Sequence, residues 1–280
     1  MKKRYFESDY VASLGESLFL DEKENKLYWL DIEQQKLIRY CFSKQNETIF
    51  QLPERASVIL DCYEDKLVLA TATGLYKFSL LSKNYEQIIT SPEKYRSKQY
   101  RSNDGTKIDD DWYIYGIMNE KYTPNDGAVI LVKNKTLTIC YEGISIPNTF
   151  ILLKDSFSIL ISDSLEKKIY RFQFNQDWSQ VVNKKTWLDF SHFQCTPDGG
   201  CINTKGDIFI TFWDGNKVVR FSKDGTVLDE YFLAAKRPTS CIYNENEMLF
   251  VSSANIKLNS IDLKNYPLSG KVFTVDLKND

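Results

Sequence analysis

The sequence predicts an all-β chain, a six-bladed β-propeller with four-stranded blades. Three observations carry that expectation. Short alternating runs rich in Tyr, Phe, Trp, Ile, Val and Leu dominate the chain, and period-2 alternation marks strands. No window shows a convincing helical period. Strand pairs recur with starts 40, 45, 47, 49 and 40 residues apart, at positions 26, 66, 111, 158, 207 and 247. That spacing is the repeat of a propeller blade.

Each repeat opens on a polar turn, because glycine is sparse and Asn, Asp, Lys and Glu take its place. Glu24-Asn25-Lys26 introduces strands at 26–31 and 36–40; Glu64-Asp65-Lys66 introduces 66–70 and 74–78. Asp109-Asp110-Asp111 leads into 111–116 and 127–132, and Lys154-Asp155-Ser156 into 158–163 and 168–172. Lys205-Gly206-Asp207 precedes 207–212 and 217–221; Asn244-Glu245-Asn246 precedes 247–252 and 271–275. A four-stranded sheet has two faces to cover, and radial stacking covers both while removing long open edges. The segment 4–12 is left over and is expected to pair as a strand with the C-terminal blade, closing the ring. The whole of 1–280 then forms a single domain. The alternative is a two-sheet sandwich of the same strand pairs.

Composition narrows the function. Hydrophobic residues make up 42% and charged residues 26%, enough for a sizeable core. The net charge is -2 with both signs interspersed and no basic block, which argues against nucleic acid as a partner. No run of 18 apolar residues suggests a membrane span, and Met1-Lys2-Lys3-Arg4 leads into no apolar signal region, so a cytoplasmic protein is expected. The six cysteines have no CxxC spacing and read as reduced thiols, with a Cys195–Cys201 bridge as the alternative. His192 is the only histidine; it reads as a rim residue and rules out His-rich zinc sites. The segment 85–100, with Lys94, Arg96 and Lys98, reads as a lid or as a solvated loop.

In a propeller the innermost strand of each blade begins beside the central channel. The position 8 to 10 residues ahead of each second strand is occupied by Glu16, Ala56 or Ser57, Asn103, Asn148, Asp198 and Thr239. Two carboxylates and two amides in one phase form an oxygen-rich set without sulfur or imidazole. Such a set suits a hard divalent cation, Ca²⁺ first, then Mg²⁺ or Mn²⁺, with Zn²⁺ through carboxylate oxygens. Each residue also has a plain reading as a turn. Thr196-Pro197-Asp198-Gly199-Gly200 is a turn sequence in its own right, and Asp104-Gly105 could tip a hairpin.

The ordered segments Leu14-Gly15-Glu16-Ser17, Leu27-Tyr28-Trp29-Leu30-Asp31-Ile32, Arg101-Ser102-Asn103-Asp104-Gly105 and Gly116-Ile117-Met118 carry a resemblance, as do Ile146-Pro147-Asn148, Ser162-Asp163-Ser164, Pro197-Asp198-Gly199, Arg237-Pro238-Thr239-Ser240-Cys241 and Val251-Ser252-Ser253-Ala254. In this order the chain resembles the regucalcin (senescence marker protein), gluconolactonase and luciferin-regenerating enzyme family of six-bladed propellers. The resemblance implies one divalent metal held by Glu16, Asn148 and Asp198, with Arg101 and Asn103 on the substrate. It also implies hydrolysis of sugar lactones to the open acids. Asn119-Glu120-Lys121 departs from the family pattern, because animal members carry an acidic substrate contact where Lys121 stands; Glu120 and Lys121 are therefore expected to line a different substrate wall. Asn203 replaces an Asp common in the family. Asp198 is the expected general base, the expected partner is a small-molecule sugar lactone, and the protein is expected to be a monomer or weak homodimer. The other readings are a same-fold hydrolase of another lactone, ester or organophosphate, and a non-catalytic calcium-binding propeller.

Overall fold

A computed structural model describes residues 6–244 and 247–277. Six antiparallel sheets follow one another, each a simple up-and-down meander. The first joins β1 (Gly15–Asp21), β2 (Lys26–Asp31), β3 (Lys36–Cys41) and β4 (Asn46–Gln51). The second joins β5 (Ala56–Tyr63), β6 (Lys66–Thr71), β7 (Gly74–Ser79) and β8 (Tyr85–Thr90). The third comprises β9 (Tyr100–Asp109), β10 (Trp112–Asn119), β11 (Gly127–Lys133) and β12 (Thr136–Ile144); the fourth, β13 (Pro147–Leu153), β14 (Ser158–Asp163), β15 (Lys168–Phe174) and β16 (Val181–Asp189). The fifth comprises β17 (Thr196–Ile202), β18 (Ile208–Trp213), β19 (Lys217–Phe221) and β20 (Val227–Phe232). The sixth has β21 (Arg237–Tyr243), β22 (Leu249–Ala254) and β23 (Val272–Val275). Each expected strand pair forms the second and third strands of a sheet, with ends shifted by a few residues at most. Part of the expected turn at Asn244-Glu245-Asn246 lies outside the described residues.

The chain divides into two compact units, Met1–Leu52 with Asp198–Asp280, and Pro53–Pro197. In the second unit, the second and third sheets pack through Val58, Leu60, Val68, Tyr113, Tyr115 and Ile130, and the third and fourth through Ile114, Val129, Ile159, Ile161 and Phe172. In the first unit, Phe209, Val218, Cys241 and Val251 join the fifth sheet to the sixth, and Phe250 and Val272 pack with Leu27, Trp29 and Ile38. Each fully buried side chain of this size contributes about 1.5–3 kcal/mol.

The N-terminal segment completes the sixth sheet. Ser8 N donates to Val272 O, Thr274 N to Phe6 O and Ala12 N to Gly270 O, and Glu7 bridges Phe273. Phe6 packs on Tyr40, Phe42 and Phe250 at 4.5–6.1 Å between ring centroids. The expected pairing is therefore present from Phe6 onward, while Arg4 and Tyr5 lie outside the described residues.

Three local features differ from the plainest reading of the sequence. A short helix, α1 (Ser260–Asn265), stands between β22 and β23; Asn259 caps it by accepting from Ile261 N and Asp262 N at 2.9 Å, and six residues are too few to show a period. The segment 85–100, read as a lid or a solvated loop, is not one continuous loop. Its first part is β8, and Tyr95 is buried with its hydroxyl donating to Glu142 Oε1 at 2.7 Å. Asp104-Gly105 lies inside β9, not at a hairpin tip.

Candidate active site

Five of the six positions singled out by the repeat share one backbone device. The register shifts at Glu16 in β1, around Ser57 in β5, across 103–104 in β9, at Asn148 in β13 and around Thr239 in β21. Such bulges re-aim side chains and end regular pairing. In β1 and β13 the residue after the bulge enters left-handed backbone: Ser17 has φ 52° and Thr149 has φ 82°. A β-branched residue adopts that conformation only where surrounding structure imposes it. Glu16 and Asn148 occupy matching registers, opposite Leu30 and Ser162, each one step in from a strand end.

A buried aspartate holds the approach to each. Asp31 accepts from Ser13 N, Leu14 N, Gln34 N and the Tyr10 hydroxyl at 2.8–3.3 Å. Asp163 does the same for the fourth sheet, taking Ser145 N, Ile146 N, Leu165 N and Glu166 N at 2.7–3.4 Å. These carboxylates satisfy loop amides, among them the buried Leu14 N and Ser145 N, that would otherwise lack partners.

Within Pro53–Pro197 a continuous polar chain runs through the site. Arg55 makes a bidentate pair with Glu120 at 2.6 and 2.8 Å, and Glu120 Oε1 lies 3.5 Å from Arg101 Nε. Arg101 Nη1 donates to Asn103 Oδ1 at 2.5 Å and to Ser102 O at 2.9 Å. Asn103 Nδ2 donates to Pro147 O at 2.9 Å and to Asn148 Oδ1 at 2.7 Å. Asn148 Nδ2 donates to Ser164 Oγ at 3.0 Å, and Ser164 Oγ to Pro197 O at 2.8 Å. Both hydrogens of the Asn103 amide are thus committed to protein. Gly116 is needed beneath this chain, because a Cβ there would come within 2.3 Å of the Pro147 ring. Lys121 is exposed in the turn after β10, with its backbone N donating to Asn119 Oδ1.

Asp104 belongs to the same bulge. Its Oδ1 accepts from Gly105 N at 2.7 Å, and Thr149 N is a second donor. The residue is half-buried overall but its carboxyl is enclosed by protein, and that desolvation pushes its pKa up to about 7 against the help of the two amides.

In the other unit, Thr239 connects the neighbourhoods of Glu16 and Asp198. Its hydroxyl donates to Gly15 O. Its carbonyl lies where a Cβ on Gly199 would approach to 2.6 Å, and the buried Thr211 hydroxyl sits 2.8 and 2.9 Å from Gly199 O and Thr239 O. Only glycine after Asp198 permits that approach. Asp198 is 6% exposed, and Glu16 is half-buried. Among the described residues no three His, Cys, Asp or Glu side chains gather as a metal-holding group; the expected set relies on an amide for its third donor. His192 is exposed, and Cys195 and Cys201 are free thiols, with Cys201 Sγ lying 3.6 Å from Cys241 Sγ. Asn203 binds its own turn through Lys205 N and Asp207 N.

Arg55, Asp104 and Ser164 were not singled out by the repeat. Asp104 and Ser164 stand in the quoted segments, whereas Arg55 lies in a connection that no sequence signal marks.

The family model described as SMP-30/Gluconolactonase/LRE-like region matches residues 14–255. The L-arabinolactonase of Azospirillum brasilense is 26% identical over 279 residues, covering 97% of this chain and 91% of the relative. Regucalcin of Gallus gallus is 25% identical, covering 94% and 90%, and the 6-deoxy-6-sulfogluconolactonase of Pseudomonas putida is 26% identical, covering 93% and 90%. Among solved structures, a calcium-binding protein, regucalcin, of Agrobacterium tumefaciens superposes with a TM-score of 0.89 at 20% identity, over 96% of this chain and 91% of that one. A luciferin-regenerating enzyme gives 0.86 at 18% identity, over 98% and 96%. The structural likeness shows the class: an all-β, six-bladed β-propeller. The chain belongs to the SMP-30/gluconolactonase/LRE-like family.

Proposed function

We propose that this protein is a lactonase that opens sugar lactones to aldonic acids with the help of one divalent cation. The observation that carries the reading is the family match over 14–255, to relatives that include an L-arabinolactonase and a 6-deoxy-6-sulfogluconolactonase. Glu16, Asn148 and Asp198 are the proposed ligands. Two carboxylates and an amide oxygen fit an oxygen-preferring cation, Ca²⁺ first, then Zn²⁺, Mn²⁺ or Mg²⁺. When bound, the ion would supply Lewis-acid polarisation of the lactone carbonyl.

The remaining chemistry falls to side chains. Asp198 takes a proton from the attacking water as its oxygen bonds to the carbonyl carbon. It returns a proton to the ring oxygen as the ring C–O bond breaks. Arg101 orients the sugar through its hydroxyls, held from behind by Glu120 and Arg55, and Asn103 holds Asn148 as well as facing substrate. Lys121 contributes to the outer wall of the pocket. The chain works as one domain over 1–280, as a monomer or weak homodimer in the cytoplasm.

A pH-stat assay on a panel of sugar lactones tests the reading, with and without EDTA and with Ca²⁺, Mn²⁺ or Zn²⁺ restored. Acid release should be lost in EDTA and return with an ion. If no lactone opens faster than in buffer, the lactonase reading is wrong. Ion binding without turnover would instead favour a non-catalytic propeller, a reading supported by the regucalcin described as a calcium-binding protein. Turnover of other esters or organophosphates alone would keep the hydrolase and change its substrate.

A further inference from the structure

The polar chain from Arg101 to Pro197 can run in only one direction, and that fixes which way the Asn148 amide faces. A guanidinium carries donors and no acceptor, while a backbone carbonyl accepts and cannot donate. At one end, therefore, Asn103 must turn its oxygen to Arg101 Nη1, 2.5 Å away, and its nitrogen to Asn148. At the other end, Ser164 must spend its single proton on Pro197 O at 2.8 Å. Toward Asn148 the serine can then only accept, which it does from Nδ2 at 3.0 Å. Asn103, Asn148 and Ser164 are all at most 8% exposed, so a reversed amide would set N–H against N–H with little water to relieve it.

We infer that Ser164 is a positioning residue, acting through Asn148. It holds Nδ2 on its own side, so Oδ1 stands on the opposite side, where one lone pair takes the Asn103 hydrogen and the second is left for the cation. The inference rests on the proposed role of Asn148 as a ligand. Ser164 supplies little packing volume for a residue in this place; what it supplies is polarity. Partners of this kind behind a metal ligand commonly change affinity by 10–100-fold.

Calorimetric titration of the full chain with Ca²⁺, alongside thermal melts without the ion, tests the inference. Ser164→Ala should bind Ca²⁺ about tenfold more weakly, and Ser164→Thr, which keeps the hydroxyl, should stay within about threefold of wild type. The decisive background is Asn148→Asp, because a carboxylate presents an oxygen whichever way it turns. There Ser164→Ala should change affinity less than twofold. Wild-type affinity in Ser164→Ala, equal losses in the Ala and Thr variants, or a tenfold loss that persists in Asn148→Asp would each overturn the positioning role. A separate arm reports on the underlying reading. If Asn148→Ala binds Ca²⁺ as wild type does, Asn148 is not a ligand and the inference falls with it; if Asn148→Ala loses the ion while Ser164→Ala keeps it, only the inference fails.

Discussion

At the scale of single residues, two aspartates have opposite relations to charge. Asp198 is the proposed base and must be ionised to act. Asp198→Asn should leave the melting transition within a few degrees while lowering turnover more than about a hundredfold, the range expected of general-base loss; turnover within tenfold of wild type would contradict the role. Asp104 is the reverse case. Its folded-state pKa, raised to about 7 by burial, exceeds the ordinary 3.8, so folding favours the protonated form. The stability it contributes is full below about pH 4 and is lost as pH rises to about 7. Asp104→Asn mimics the neutral acid and should raise the melting temperature at pH 8 but not at pH 3.5. Equal shifts at both values would show that the carboxyl is not desolvated as described.

Among elements, the bulged first strands decide where Glu16, Asn103 and Asn148 stand. Gly116 and Pro147 show how tightly this is set: a methyl group on Gly116 would have to push the proline ring aside, and Asn148 is the next residue. Gly116→Ala should cost about 2 kcal/mol in a denaturant titration and reduce lactone turnover along with Ca²⁺ affinity. A variant that is destabilised yet fully active would separate packing from positioning. The second strand of every sheet was legible in the sequence because it is buried and apolar, as in Leu27–Leu30 of β2 or Ile159–Ile161 of β14. The outer strands were not. β16 and β20 are largely exposed and carry Lys, Asn, Asp and Glu among their apolar residues, so alternation fades. For the same reason β8 read as a loop. The phase of Glu16, Asn103, Asn148 and Asp198 could be counted from the repeat, but the bulges could not, since Ser17 and Thr149 are not residues that advertise positive φ. Arg55 was invisible because ion pairing across 65 residues leaves no local pattern.

For the molecule as a whole, the sixth sheet depends on both chain ends. Its three C-terminal strands are completed by the segment from Phe6, which buries an aromatic ring and covers the open edge of β23. A chain beginning at Ser13 should melt roughly 10 °C lower, losing a large side chain and several hydrogen bonds. The bared edge should also pair between copies, giving larger species in size-exclusion chromatography. A truncated chain that stays monomeric with an unchanged melting temperature would show that this strand is dispensable.

That same pairing dictates an order of events during synthesis. Residues Pro53–Pro197 form a unit contiguous in sequence, whereas the other unit is split between residues 1–52 and 198–280. Phe6 meets Thr274 across 268 positions of chain. The N-terminal segment must therefore wait until the strand at 272–275 has been made, and the loop-closure entropy of that long separation is met in a single late step. Folding of the sixth sheet should therefore finish slowly, with the N-terminal strand as the last piece to dock.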